Sequence, residues 1–243
     1  MKIIADTHTH TLMSGHAHST TLENLREAKK KGLRFLCVTD HTGKMVGAPN
    51  HVYFACMWSA LPDEFEGVYI LRGCEANIID YDGTLDISDA HLEWLEWRIA
   101  SIHDGTGGIS PSTIEEHTKL WLNVAKNPLI DVIGHCGSDK YEFDKEKVIR
   151  AFAEYGKVVE INSSSAITRP TSQKNCGEIA RLCAKYNVPL VVSSDAHFAG
   201  NVGEVGAAIK LLQDNGVDEK HVLNADFDRF AEFLKNKTGR CFN

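Results

Sequence analysis

Cys-x-x-Cys pairs are missing from this sequence. Its seven cysteines, an odd number, are scattered through strands and helices, which argues against a disulfide framework or zinc finger and for reduced thiols. Basic runs are missing too, and a formal net charge of −7 counts against nonspecific attraction to a polyanion, although bound cations would reverse that sign locally. No run of about 18 apolar residues occurs, so no membrane helix is expected. The first residues enter an apolar strand with no basic n-region, h-region or cleavage site, and the expected location is cytoplasmic. No Pro/Gly/Ser-rich linker, internal repeat or low-complexity tract marks a place to cut the chain. The 243 residues, 43% hydrophobic and 24% charged, therefore read as one domain, 1–243, long enough for a single α/β barrel.

Against these absences stands Asp6-Thr7-His8-Thr9-His10, the end of an apolar run that begins at Ile3. Side chains of an extended strand repeat every two residues, so His8 and His10 emerge on one face, where two imidazoles can share a metal. Further apolar runs predict strands at Phe35–Thr39, Val68–Leu71, Arg98–Ile102, Val132–Gly134, Val158–Ile161 and Leu190–Ser193. Between them, amphipathic stretches predict helices. One is capped at Thr20 or Thr21 and stopped by Gly32; another opens on a capping box of Ser112 and Glu115; others follow Asp144, Lys174, Gly203 and Asp226. Seven strands alternating with helices give a parallel sheet, either closed into a barrel or open and doubly wound. Closure is favoured because the candidate ligands come from six different strand ends, which only a ring brings around one point.

Those ligands are His8, His10, His41, Glu75, His103, His135, Asp195 and His197 at strand ends, with His16 from the first loop. Any one of the histidines could be an ordinary core or rim residue. Together they exceed the roughly four positions of a single zinc ion, and with Glu75 and Asp195 bridging they fit two or three ions. Imidazole with carboxylate and no thiolate favours zinc first, then manganese or ferrous iron. Arg169 and Lys44 are candidate phosphate clamps, and His18 and His51 candidate substrate contacts, all on loops of the same side. Asp40 is expected to orient a neighbouring ligand by hydrogen bonding. His91, His117 and His221 are expected on solvent-facing helix surfaces, and Ser163–Ser165 as a polar loop lining rather than a nucleophile.

Six stretches carry a resemblance: Asp6-Thr7-His8-Thr9-His10, Thr39-Asp40-His41, Leu71-Arg72-Gly73-Cys74-Glu75-Ala76-Asn77, Gly134-His135, Glu160-Ile161-Asn162 and Ser194-Asp195-Ala196-His197. In order and spacing the chain resembles the PHP (polymerase and histidinol phosphatase) superfamily, in its YcdX-like branch. The resemblance implies a distorted TIM-like (β/α)7 barrel with a trinuclear metal centre and phosphoester hydrolase activity. It would assign His8, His10, Glu75 and Asp195 to one ion, Glu75, His103 and His135 to a second, and His16, His41 and His197 to a third. Cys136 stands where such relatives carry proline, and reads either as an inert apolar residue or as a redox-sensitive neighbour of the metals.

The expected activity is hydrolysis of a small phosphomonoester by a metal-activated hydroxide, with Glu75 and Asp195 positioning it between ions. Three alternatives remain. A nuclease acting on single-stranded DNA ends meets the acidic balance and the missing basic stripe. An amidohydrolase-type C–N hydrolase would place a bridging lysine where His103 stands. A metal-binding protein without catalysis is the third. The sequence leaves open the substrate and the native metal, and a homo-oligomer is compatible with it.

Overall fold

Phe35 and Cys37 point into the middle of a ring of strands while Leu36 and Val38 point outward to the surrounding helices, so one continuously apolar run serves two cores. This is seen in a computed structural model that describes residues 1–243, apart from the side chain of Ala166. The strands are β1 (Ala5–Asp6), β2 (Phe35–Val38), β3 (Glu64–Phe65), β4 (Val68–Asn77), β5 (Trp97–Ser101), β6 (Val132–Ile133), β7 (Val158–Asn162) and β8 (Leu190–Ser193). They run in the order β1-β2-β4-β5-β6-β7-β8, all parallel, with β3 folded back antiparallel on β4. The helices are α1 (Thr21–Lys30), α2 (His51–Ala60), α3 (Asp89–Leu92), α4 (Ile114–Lys126), α5 (Lys145–Glu154), α6 (Ser163–Thr168), α7 (Gln173–Tyr186), α8 (Gly206–Asp214) and α9 (Phe227–Thr238). The result is a distorted TIM-like barrel of seven parallel strands, nearly closed.

The seam between β8 and β1 is closed largely by loop backbone and one side chain. At the top, the Asp195 N–H donates to the His8 carbonyl at 3.0 Å and the His10 N–H to the Ala196 carbonyl at 2.9 Å. Lower down, buried Asn224 spans the gap: its amide donates to the carbonyls of Ala5 (2.8 Å) and Val192 (2.7 Å) and accepts from the Val192 N–H at 3.1 Å. Backbone groups in a buried seam must find partners, and here they do. The floor is apolar: Phe230 and Leu234 of α9, with Phe242, plug the ring against Phe35 and Trp97.

Several boundaries differ from the sequence reading. The strand expected over Val68–Leu71 runs on to Asn77 and gains the β3 hairpin, so Glu75 lies inside a strand and bridges in parallel to His41. Helix α4 is capped one residue later than the Ser112/Glu115 pattern predicts: Thr113 accepts from the Glu116 N–H at 3.2 Å. Both Ser-x-x-Glu and Thr-x-x-Glu occur there, and the chosen phase places Leu120, Trp121 and Val124 inward. Ser163–Ser165 form the first turn of α6, not a loop, because Asn162 caps it by accepting from the Ser165 N–H. His117 is buried rather than solvent-facing, its Nδ1 2.9 Å from the Glu142 carbonyl and its Nε2 accepting from the Ser112 N–H at 3.1 Å.

Candidate metal centre

The upper strand ends and the first loop bring seven of the nine candidate side chains, His16, His41, Glu75, His103, His135, Asp195 and His197, to the walls of one basin of about 320 Å³, with His8 and His10 fully buried against Glu75. Glu75 sits at its centre. Its Oε2 lies 2.9 Å from His41 Nδ1, 3.3 Å from His8 Nε2 and 3.5 Å from His10 Nε2; its Oε1 lies 2.9 Å from His135 Nε2 and 3.2 Å from His103 Nε2. Asp195 Oδ1 is 3.1 Å from His10 Nε2, and its Oδ2 accepts from Asn162 Nδ2 at 3.1 Å. His16 and His197 meet at 3.0 Å between their Nε2 atoms. Two members hold strained backbone: His135 has φ 25° and Asp195 φ 55°. Non-glycine residues adopt the left-handed region at a cost of about 1–3 kcal/mol each, and such strain gathers at functional sites. Close approach below the basin also requires Gly134, where a Cβ would fall 2.1 Å from Ser101 Oγ.

Most of these rings have one nitrogen already committed. His8 Nδ1 donates to Glu160 at 2.7 Å, and His103 Nδ1 to Asn77 Oδ1 at 2.7 Å. His197 Nδ1 donates to the Asp195 carbonyl at 2.9 Å. Ser14 donates its hydroxyl to Asp40, so His10 Nδ1 is the donor to Ser14 Oγ at 2.8 Å. The Nε2 atoms of all four rings are therefore left with lone pairs, and those of His8 and His10 face each other at 3.0 Å. Two lone pairs at that distance repel unless a cation lies between them. His41 Nδ1, 2.9 Å from Glu75, lies off any hydrogen-bond line and has no hydrogen-bond partner. This donor set fits divalent metal ions: ligating histidines characteristically donate their second N–H to a carboxylate, amide or carbonyl.

The electrostatics agree. Burial, with the neighbouring His41 and His8 rings, pulls His10 down to about 3, so it stays neutral with a lone pair to offer. Burial would raise Glu75, yet the His103, His8 and His41 rings hold it well below the usual carboxylate range; Asp195 is held low likewise, by His8 and His10. Burial would lower His8, but Glu160, Glu75 and Asp195 outweigh it and favour a positive charge on or beside that ring. Three groups of ligand atoms lie close enough to hold an ion: His8 with His10 and Glu75, His41 with Glu75 and His103, and His10 with His41 and His197.

A family model described as PHP domain matches residues 6–237. The chain belongs to the PHP family. It is 46% identical over 239 residues to a probable phosphatase of Thermoanaerobacter sp. (strain X514), covering 98% of this chain and 96% of that one. A probable phosphatase of Acetivibrio thermocellus is 43% identical, covering 99% and 98%. Among solved structures, histidinol phosphate phosphatase from Lactococcus lactis, in complex with zinc, L-histidinol and phosphate, superposes with a TM-score of 0.64 at 18% identity, covering 90% of this chain and 95% of that one. A probable 2-pyrone-4,6-dicarboxylic acid hydrolase from Acinetobacter baumannii gives 0.56 at 13% identity, covering 96% and 99%. At these identities the last two speak to the fold alone.

Of the four residues expected to contact substrate, this PHP barrel brings Arg169 to the metal basin, where it lines the wall beside Thr168. Lys44, His18 and His51 do not line that basin. Lys44 is exposed and its N–H donates to Asp86 at 2.7 Å; exposed His18 donates its N–H to the His197 carbonyl; His51 lines a separate cavity with His91. The Asp40 carboxylate acts through Ser14, and is itself held by the Thr11 N–H and by the Thr11 and Tyr53 hydroxyls, while its backbone carbonyl accepts from the Glu75 N–H at 3.1 Å. Sequence reasoning missed Ser14, and it quoted Asn77, Asn162 and Glu160 within matching stretches without giving them a role; Glu160 also accepts from the His135 N–H at 2.8 Å and the Ser193 hydroxyl at 2.5 Å. A carboxylate inside an otherwise apolar strand was the available signal for Glu160. Cys136 is buried, and all seven cysteines are free. Among the described residues no helix is long and apolar enough to cross a membrane.

Proposed function

We propose that this PHP-family phosphatase hydrolyses small phosphomonoesters using three divalent ions. His8, His10, Glu75 and Asp195 hold the first, Glu75, His103 and His135 the second, and His16, His41 and His197 the third. The observation that carries this is the set of four imidazoles whose Nδ1 atoms are committed: the Nε2 atoms of His8, His10 and His103 face Glu75 or Asp195, and that of His197 faces His16. Zinc is the first choice, manganese or ferrous iron the next, and the zinc complex of the Lactococcus lactis enzyme supports that order. Ions so held supply a water nucleophile at neutral pH and neutralise charge on the phosphate.

The chain's own residues do the rest. Arg169, at the basin wall, offers the planar fork that pairs with two phosphate oxygens. Glu160 fixes His8 and the His135 backbone, and Asn162 fixes Asp195, so the constellation keeps its shape before substrate arrives. The basin's volume of about 320 Å³ suits a phosphate with a small leaving group. A formal net charge of −7 and a sequence without basic runs count against a nuclease. The test is elemental analysis of the purified protein coupled to phosphate release from a panel of esters, with His8→Ala and Asp195→Ala beside the wild type. Three metal equivalents and turnover lost in both variants are expected. One metal or none per chain overturns the three-ion reading, and unchanged turnover in both variants overturns the mechanism.

A further inference from the structure

The metal basin does not end at Arg169. Asp104, Thr168 and Arg169 also line a second cavity of about 320 Å³, which continues outward between the segments that follow β5, β6 and β7. Its other walls include Lys140, Tyr141 and Thr171. Resting on the phosphatase reading above, we propose that this second cavity binds the leaving group and that the leaving group is polyhydroxylated: the substrate is a sugar or polyol phosphate.

The cavity mixes donors and acceptors, and its charged groups balance: Asp104 and Asp139 against Lys140 and Arg169. Asp104 accepts from Lys140 Nζ and from the Tyr141 hydroxyl, at 2.6 Å each. Those bonds leave lone pairs on both carboxylate oxygens and two hydrogens on the ammonium. The Thr168 hydroxyl donates to the Ser164 carbonyl at 2.9 Å and so faces the cavity as an acceptor. Thr171 is exposed and adds a hydroxyl that both donates and accepts. The Asp104–Lys140 pair is well exposed to solvent, at 64% and 57%, so substrate hydroxyls can displace water there without breaking a buried bridge.

Other leaving groups fit less well. An aromatic or nucleobase leaving group needs a ring face, and the cavity's one aromatic residue, Tyr141, is buried with its ring edge-on to His117 at 5.5 Å. An ammonium-bearing group would share the cavity with the Lys140 ammonium and the Arg169 guanidinium, leaving Asp139 as the carboxylate to receive it. A second anion would compete with the phosphate for Arg169. A chain of vicinal hydroxyls matches the walls as they stand, in a cavity at the lower end of the usual ligand-pocket range. The step is hydrolysis: the oxygen of water bonds to phosphorus, the bond from phosphorus to the polyol oxygen breaks, and that oxygen takes up a proton.

The test measures kcat/KM of the metal-replete full chain for glucose 6-phosphate, adenosine 5′-monophosphate, phosphotyrosine and phosphoserine, with p-nitrophenyl phosphate as a general reporter. Glucose 6-phosphate should exceed the other three natural esters by about tenfold or more, roughly the worth of one or two net hydrogen bonds at an exposed site. Lys140→Met and Thr171→Val should each erase most of that preference. A wild type that favours any of the other three esters overturns the proposal, as does a preference that both variants retain. Thr171→Val alone decides the second point if Lys140→Met does not fold, since Thr171 is exposed. Hydrolysis of none of the esters, the reporter included, brings down the phosphatase reading itself, an outcome distinct from the others.

Discussion

The two ends of the same strands solve the problem of buried charge in opposite ways. The residues just before β5, β6 and β7 are Glu96, Asp131 and Lys157, and each has its partners within the chain. Glu96 faces Arg72 at 3.2 Å and pairs with Arg240; Asp131 faces Arg98 at 2.8 Å and Lys237 at 2.6 Å; Lys157 donates to the carbonyls of Asn127 and Ile130 at 2.6 Å each. At the other end, Glu75, Asp195 and Glu160 meet imidazoles, whose Nε2 atoms are left as lone pairs. The lower end carries its own cations, and the upper end is arranged to receive them. That contrast separates stability from chemistry, the usual division between the two faces of such barrels.

Replacing the residue that joins the upper cluster breaks the comparison most sharply. Glu75→Ala should lower phosphate release by about 10⁴-fold, the equivalent of ~5 kcal/mol of barrier, because its two oxygens face five different imidazoles. Metal content should fall in the same protein while the urea midpoint of the metal-free form changes little. Activity within tenfold of wild type would mean that the upper end is only another charge network. The mirror experiment is Phe230→Ala in the floor. Emptying a fully buried ring from a closed plug costs about 3–5 kcal/mol of stability, read from urea unfolding, with metal content and turnover per folded molecule unchanged.

These two ends were not equally legible in the sequence. Strand ends are punctuated by His and Asp after apolar runs, so His41, His103, His135 and Asp195 could be placed without coordinates. Glu75 was placed correctly even though its strand runs past it, since parallel pairing puts it level with His41. What could not be read were partners remote along the chain. Glu160 and His8 lie 152 residues apart, and whether they touch depends on how β7 and β1 face each other across the ring. His117 was misplaced for the same reason: a polar residue on a helix is expected outside, and its partner, the Glu142 carbonyl, comes from a later loop. Lys44 and His51 sit on the right side of the barrel but outside the basin, because loop sequence does not encode direction.

Glu160 sharpens the comparison from within the upper end, as its role is to hold ligands rather than to be one. Glu160→Gln keeps the shape and removes the charge that orients His8. Metal affinity should fall by about 10–100-fold, measured by competition with a chelator, with activity restored as metal is raised. An activity loss that added metal does not reverse would instead place Glu160 among the residues that meet substrate.

The smallest effect tests whether the lower end is as self-sufficient as its geometry indicates. Burial, with Lys237 nearby, pushes the Lys157 ammonium down to about 8, below the roughly 10.4 of an unfolded lysine. Between those values the unfolded chain binds more protons at this position than the folded one, so this group makes stability rise as pH rises from about 8 to 10. Lys157→Met cannot titrate. Its stability deficit relative to wild type, measured by urea unfolding across that range, should therefore widen with pH, by an amount that the two carbonyl bonds at 2.6 Å would reduce. A deficit that is flat with pH would mean that those carbonyls hold the ammonium charged throughout. The lower end would then stabilise its cation with neutral groups, removing one side of the contrast between fixed charge below and received charge above.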